Sequence, residues 1–139
     1  MTTGNKQGKL TVLMVDDNMS FVERMITLLE DVRTIDNISV ASDYNEAYRF
    51  VKEEKPDLVL LDINLPGKNG IEILKKIRIT GNVCQVIMLT NHADEYYRQQ
   101  CKDLGADHFL DKSNDFAKVP GIISRLTNGR NDHSFDSSR

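Results

Sequence analysis

The sequence predicts an α/β domain: a five-stranded parallel sheet with helices on both faces. Three observations carry this. Five short apolar stretches alternate with five stretches whose apolar residues recur at helical spacing. The links between them are short, which suits strand–helix–strand units. The first, third and fourth strand stretches are nearly continuously apolar, as strands covered on both sides are. A chain of 139 residues with 40% hydrophobic residues is enough for one compact domain with a sizeable core.

Taken in order, residues 1–9 read as a flexible N-terminal arm and residues 10–126 as the domain. "LTVLMVD" (10–16) is the first strand. The helix that follows starts at Ser20, which with Glu23 three residues on forms a capping-box pair, and Phe21, Met25, Leu28 and Leu29 share its apolar side. "NISVAS" (37–42) is a weaker strand. Residues 43–54 form a helix with Ala47, Phe50 and Val51 inward, stopped by Pro56. "DLVLLD" (57–62) is the third strand. Residues 71–79 form a helix burying Ile71, Leu74, Ile77 and Ile73, and "VCQVIMLT" (83–90) is the fourth strand. Asp94 and Glu95 favour the positive end of a helix over 93–105, and Gly105 suits its end. "ADHFLDK" (106–112) is the fifth strand. The last helix lies within 115–126; it either begins near Val119, with Pro120 in its first turn, or begins earlier and kinks. Residues 127–139 read as a polar tail.

Composition narrows the function. The net charge of −3 gives no basic excess for nucleic acid or an anionic membrane. No run approaches the ~18 apolar residues of a spanning helix, and the polar N-terminus lacks a signal-peptide core. A cytoplasmic protein is the expectation. The two cysteines, Cys84 and Cys101, fall in a strand-like and a helix-like run and read as buried thiols, too few for a structural zinc site.

The chemistry gathers at the strand ends. In such sheets the crevice lies outside the carboxyl ends of the strands. The first strand ends on Asp16 and Asp17, the third on Asp62, the fourth on Thr90, and the fifth runs into Lys112. Asp16 and Asp17 alone fit a solvated turn. With neighbouring strands, the three carboxylates would raise one another's pKa values unless joined by positive charge. Lys112 supplies one charge and a hard divalent cation such as Mg2+, which takes oxygen ligands and keeps waters, supplies the rest. An aspartate in such a place can be a nucleophile that forms an acyl phosphate.

These residues resemble the receiver domain of two-component response regulators. The likeness runs over roughly residues 9–126 and rests on "VDD" (15–17), "LLDINLPGKNG" (60–70), "MLT" (88–90) and "DKS" (111–113), in that order and spacing. The resemblance implies the strand order 2-1-3-4-5 of a flavodoxin-like three-layer sandwich. It implies Asp62 as phosphoacceptor, and Asp16, Asp17, Asp62 and the backbone carbonyl of Asn64 as Mg2+ ligands. It further implies Lys112 pairing with the phosphoryl oxygens, Thr90 as the hydroxyl that moves to bind them, and Phe109 as the aromatic switch residue three before the lysine. The implied partners are a sensor histidine kinase or histidine phosphotransfer protein and a downstream protein met through the face of the fourth helix, fifth strand and fifth helix. Tyr96 and Tyr97 belong to that face, and at least one should be exposed.

The chain departs from the family's pattern in three places. Ser113 stands where proline commonly follows the lysine through a cis bond, a geometry a non-proline residue strongly disfavours; the loop takes another path or is held by strain. Asn91 stands where alanine is common beside Thr90. Asn64 and His92 occupy two positions that influence water attack, and His92 either orients a water or faces solvent. The polar tail favours a free-standing switch acting through protein contacts. The alternatives are the receiver part of a larger regulator with a DNA-binding or enzymatic output domain, a phosphorylation-independent interaction module, and a phosphatase on a related fold.

Overall fold

The computed structural model describes residues 9–91 and 93–129, the last three by backbone alone. The expected arm up to residue 8, His92, and residues 130–139 of the expected tail lie outside the described residues. The order is β1 (Leu10–Val15), α1 (Met19–Leu29), β2 (Ile35–Ala41), α2 (Tyr44–Glu54), β3 (Leu58–Leu61), α3 (Gly70–Ile79), β4 (Gln85–Thr90), α4 (Glu95–Asp103), β5 (His108–Asp111) and α5 (Val119–Gly129). The strands form one parallel sheet in the order β2-β1-β3-β4-β5.

Period-two burial explains why this sheet needs two helical layers. Leu13, Val15, Val59, Leu61, Val86, Met88 and Phe109 face one way, into a core shared with α2, α3 and Cys101 of α4. Val12, Met14, Leu58, Leu60, Ile87, Leu89 and Leu110 face the other way, against α1 and α5. Both sets are buried, so continuous apolar runs in the sequence become strands with no wet side.

Local chemistry places some boundaries elsewhere than the sequence suggests. Helix α1 starts at Met19, capped by Asn18, whose side chain accepts from the Phe21 N–H; Ser20 lies inside the first turn. Asparagine is among the strongest caps, and Asn18 is already turned by donating its own N–H to Asp16 Oδ1 at 2.9 Å. Asp94 likewise acts as the N-cap of α4, accepting from Tyr97, rather than as a first-turn charge. Strand β4 begins at Gln85, so Cys84 precedes it: the Cys84 carbonyl accepts from Arg78 Nη1 at 2.8 Å. A 3-10 turn over Phe116–Lys118 leads into α5, which begins at Val119 with Pro120 in its first turn and continues to Gly129, three residues beyond the expected end. Proline tolerates that position because its missing N–H has no helical partner there.

One glycine sets the distance between sheet and helix. A Cβ at Gly70, the first residue of α3, would stand 1.9 Å from the Asp62 carbonyl oxygen. The Gly70 N–H also donates to the Ile63 carbonyl at 2.7 Å. Gly121, in α5, faces open space. Gly70→Ala should therefore lower unfolding free energy by about 2 kcal/mol in urea titration, whereas Gly121→Ala should leave it unchanged or raise it by roughly 0.5 kcal/mol. Equal effects at both sites would show that the close approach at Gly70 does not matter.

Candidate functional site

The reversal of strand order between β1 and β3 opens a crevice at their carboxyl ends. Val15 pairs with Leu61, so the next residues, Asp16 and Asp62, sit side by side. Backbone bonds fix both: Asp16 N–H donates to Ala41 at 3.0 Å and Asp62 N–H to Val15 at 3.1 Å. Across β4, Thr90 pairs with Asp111, and the Lys112 N–H donates to the Thr90 carbonyl at 2.9 Å. Lys112 is thereby delivered to the two carboxylates. Its Nζ lies 2.8 Å from Asp16 Oδ2 and 3.1 Å from Asp62 Oδ2. Asp16, Asp62, Thr90 and Lys112 are all buried, while Asp17 and Asn64 are exposed at the rim.

Burial and the neighbouring Asp16 charge push the Asp62 carboxyl above its ordinary range, and Lys112 only partly offsets them. Burial alone would lower the Lys112 pKa, but hydrogen bonds and charge from Asp16 and Asp62 outweigh it and hold the ammonium above its usual value. The result is one firmly charged cation between two carboxylates, with a third carboxylate, Asp17, adjacent in sequence. Among the described residues no group of three or more His, Cys, Asp or Glu side chains is gathered as a ready metal cage. The donors are nonetheless all hard oxygens with surplus negative charge, which fits a divalent cation that keeps several waters. Burial raises the two thiols, Cys84 to about 11 and Cys101 to about 12, so neither is a nucleophile at neutral pH.

Of the residues singled out from the sequence, Asp16, Asp62 and Lys112 meet directly. Thr90 is wholly buried beside them at the end of β4. The Asn64 N–H reaches Asp62 Oδ1 at 3.4 Å. Phe109 is fully buried, with the Arg98 guanidinium 5.1 Å from its ring centre. Tyr96 is exposed and Tyr97 packs against the core, as adjacent helical positions require. The Lys112–Ser113 bond is trans, as are all peptide bonds of the described residues. The loop takes another path, held by carboxylates: Asp111 Oδ1 accepts from Ser113 and Asn114 N–H, and Asp115 Oδ2 accepts from Asp111 N–H at 2.8 Å.

Sequence reasoning misses three contributors. Phe21 lays its ring 4.4 Å from Lys112 Nζ and meets Phe116 edge-on; its helical spacing marks it only as core. Asp115 reads as part of a helix start, although its spacing from Asp111 is that of a loop clasp. Gly70 reads as loop punctuation, although a glycine opening a helix just beyond a strand end can signal close packing.

A sequence model described as the response regulator receiver domain matches residues 12–124. The chain is 37% identical over 101 residues, 73% of its length, to the alkaline phosphatase synthesis transcriptional regulatory protein PhoP of Bacillus subtilis, of which this covers 41%. It is 38% identical over 132 residues to the transcriptional regulatory protein CpxR homolog of Haemophilus influenzae, covering 88% of this chain and 54% of that one. The chain thus spans about half the length of these curated relatives. Among solved structures, a LuxR-family two-component response regulator from Aurantimonas superposes with a TM-score of 0.82 at 28% identity, covering 93% of this chain and 90% of that one.

Removing the shared cation should expose the cost of the carboxylate pair. Lys112→Met is expected to lose roughly 3 kcal/mol at neutral pH. The sign with pH follows from Asp62: its folded pKa, already raised, rises further, so the folded state holds a proton that the unfolded state releases. The deficit should therefore shrink as pH falls toward about 4. Thermal melts across this range would check it, and a deficit that grows on acidification would refute the electrostatic account.

Proposed function

The chain belongs to the response regulator receiver domain family, and on that premise we propose that Asp62 accepts a phosphoryl group in a magnesium-assisted reaction and that Thr90 and Phe109 relay the change. Receiver domains are phosphorylation-dependent switches of two-component signalling, phosphoacceptors that assist their own transfer and dephosphorylation, and magnesium use is typical of them. The observation that carries the proposal is the single ammonium of Lys112 gripped by Asp16 and Asp62 at the ends of neighbouring strands.

In this reading an Asp62 carboxylate oxygen attacks phosphorus. The acyl–phosphate bond forms as the bond to the donor breaks, and the donor departs with its electron pair. Lys112, 3.1 Å from Asp62, follows the charge onto the phosphoryl oxygens. Asp16, Asp17, Asp62 and the Asn64 carbonyl are the groups that would hold magnesium, which when bound supplies neutralisation of the transferring group. Asp16 and Asp17 are then unsuited as competing nucleophiles. The donor would be a phosphohistidine on a sensor histidine kinase or histidine phosphotransfer protein.

The added charge on Asp62 biases the domain only through groups that meet it differently in two states. Thr90 is the nearest buried hydroxyl on β4, and Phe109 sits on the adjacent β5 under Arg98. Movement of Thr90 toward the phosphoryl group would free space for Phe109 and alter the face made by α4, β5 and α5. The relatives favour a receiver that governs an output domain of a larger regulator over one that acts alone, because the matched proteins are transcriptional regulators about half covered by this chain. The Asp16–Lys112–Asp62 arrangement supports phosphoryl control over a phosphorylation-independent module.

Incubation with acetyl phosphate and magnesium should add one phosphoryl group by intact mass, and Asp62→Asn or omission of magnesium should abolish it. At neutral pH the ionised Asp62 is disfavoured by folding, since a raised folded pKa contributes stability only at low pH. Asp62→Asn should therefore melt no lower than the parent, which separates lost chemistry from lost folding. Undiminished mass addition in Asp62→Asn would sink the assignment. Beryllofluoride with magnesium should shift the Phe109 ring resonances; unchanged resonances would remove Phe109 from the relay.

A further inference from the structure

The end of the sheet remote from Asp62 carries a cleft of about 720 Å³, within the range of binding pockets. It opens where β1, β3 and β4 begin, beside the ends of α2 and α3. Val51, Leu58 and Leu126 contribute apolar walls. At its mouth Val83 is 88% exposed, and Ile79, in the preceding turn of chain, is 80% exposed. These are two of the few large apolar side chains left in water. Gln85 also lines the cleft, and its Oε1 is buried with no hydrogen-bond partner.

Cations border the same place. Lys52 and Lys55 line the cleft. Lys52 and Lys76 lie 5.6 and 5.3 Å from the ring centre of Tyr48, which also lines it. Among the described residues none of Lys52, Lys55 and Lys76 pairs with a carboxylate, in a chain of net charge −3. Neighbouring Arg78 is already engaged by the Asn82, Cys84 and Gly105 carbonyls and by Asp107. Among the described residues the one acid lining the cleft, Asp57, accepts from the Thr11 N–H at 2.9 Å.

We propose that this cleft docks an acidic peptide segment of a partner protein. An apolar side chain of the peptide enters the cleft, and its carboxylates meet Lys52, Lys55 and Lys76. Charge complementarity selects the acidic partner. The apolar walls select a peptide bearing an apolar side chain over a phosphate backbone, whose charges would leave those walls uncovered. The site stands independently of the phosphoryl reading, because it leaves the Asp62 end of the sheet uncovered.

The test is an NMR titration of the labelled full chain with a synthetic decapeptide of glutamates around a Leu-Phe pair. Its glutamine counterpart and a ten-nucleotide single strand serve as controls. Saturable shifts at Tyr48, Val83 and Gln85 are expected, at least tenfold weaker in Lys52→Glu/Lys76→Glu and with the glutamine peptide, while phosphorylation at Asp62 persists. The proposal is overturned by no saturable shift at these residues, by equal binding to the charge-reversed variant, or by tighter binding of the oligonucleotide. It is equally overturned if Phe135→Ala/Asp136→Asn alone moves Val83 and Gln85, which would assign the cleft to this chain's own segment.

Discussion

The Lys112 ammonium shared by Asp16 and Asp62 is the interaction around which the molecule is arranged. Two buried carboxylates at adjacent strand ends would otherwise drive the chain apart or take up protons. One cation satisfies the geometry but not the charge. Its neighbours divide the work of holding it. Phe21 shields the ammonium from water, Thr90 receives the backbone N–H that brings it in, and the Asp111–Asp115 clasp holds the loop that follows. That clasp does with hydrogen bonds what a proline ring could do with covalent restraint, and it lets a trans peptide serve after Lys112.

The sheet converts sequence spacing into this arrangement. Parallel register carries each strand to the same end, and burial on both faces prevents a one-residue slip, which would send every apolar side chain into the opposite layer. The Val15–Leu61 pairing therefore fixes Asp16 beside Asp62 as firmly as it fixes the core. The two ends of the sheet differ in kind. One is a tight, buried charge cluster. The other is an open cleft edged with lysines and stray apolar side chains.

Much of this is legible in the sequence because it depends on periodicity and on where strands stop. Alternating apolar and helical stretches announce the layers, and aspartates ending two strands announce the crevice. The misreadings have local causes. Asn18 and Ser20 both suit a helix cap, and only the bond from Asn18 to Asp16 decides between them. Cys84 looks like strand but is held before it by Arg78, a contact between separate elements. The loop path after Lys112 depends on Asp115, whose effect appears only when the chain turns back on itself. Phe21 and Gly70 contribute by proximity in space, for which no spacing rule exists.

The contact of Gly70 with Asp62 bears on how a signal could leave the site. With a helix start pressed against its carbonyl and its N–H bonded to β1, the main chain of Asp62 is an anvil rather than a lever. In the proposed reading, charge added to its side chain would find no slack at the Asp62 main chain. In the proposed relay, displacement would run sideways, through the Thr90 hydroxyl on β4 and the Phe109 ring on the edge strand β5. In that reading the direction of transmission would be set by an atom the protein does without, the missing methyl of a single glycine.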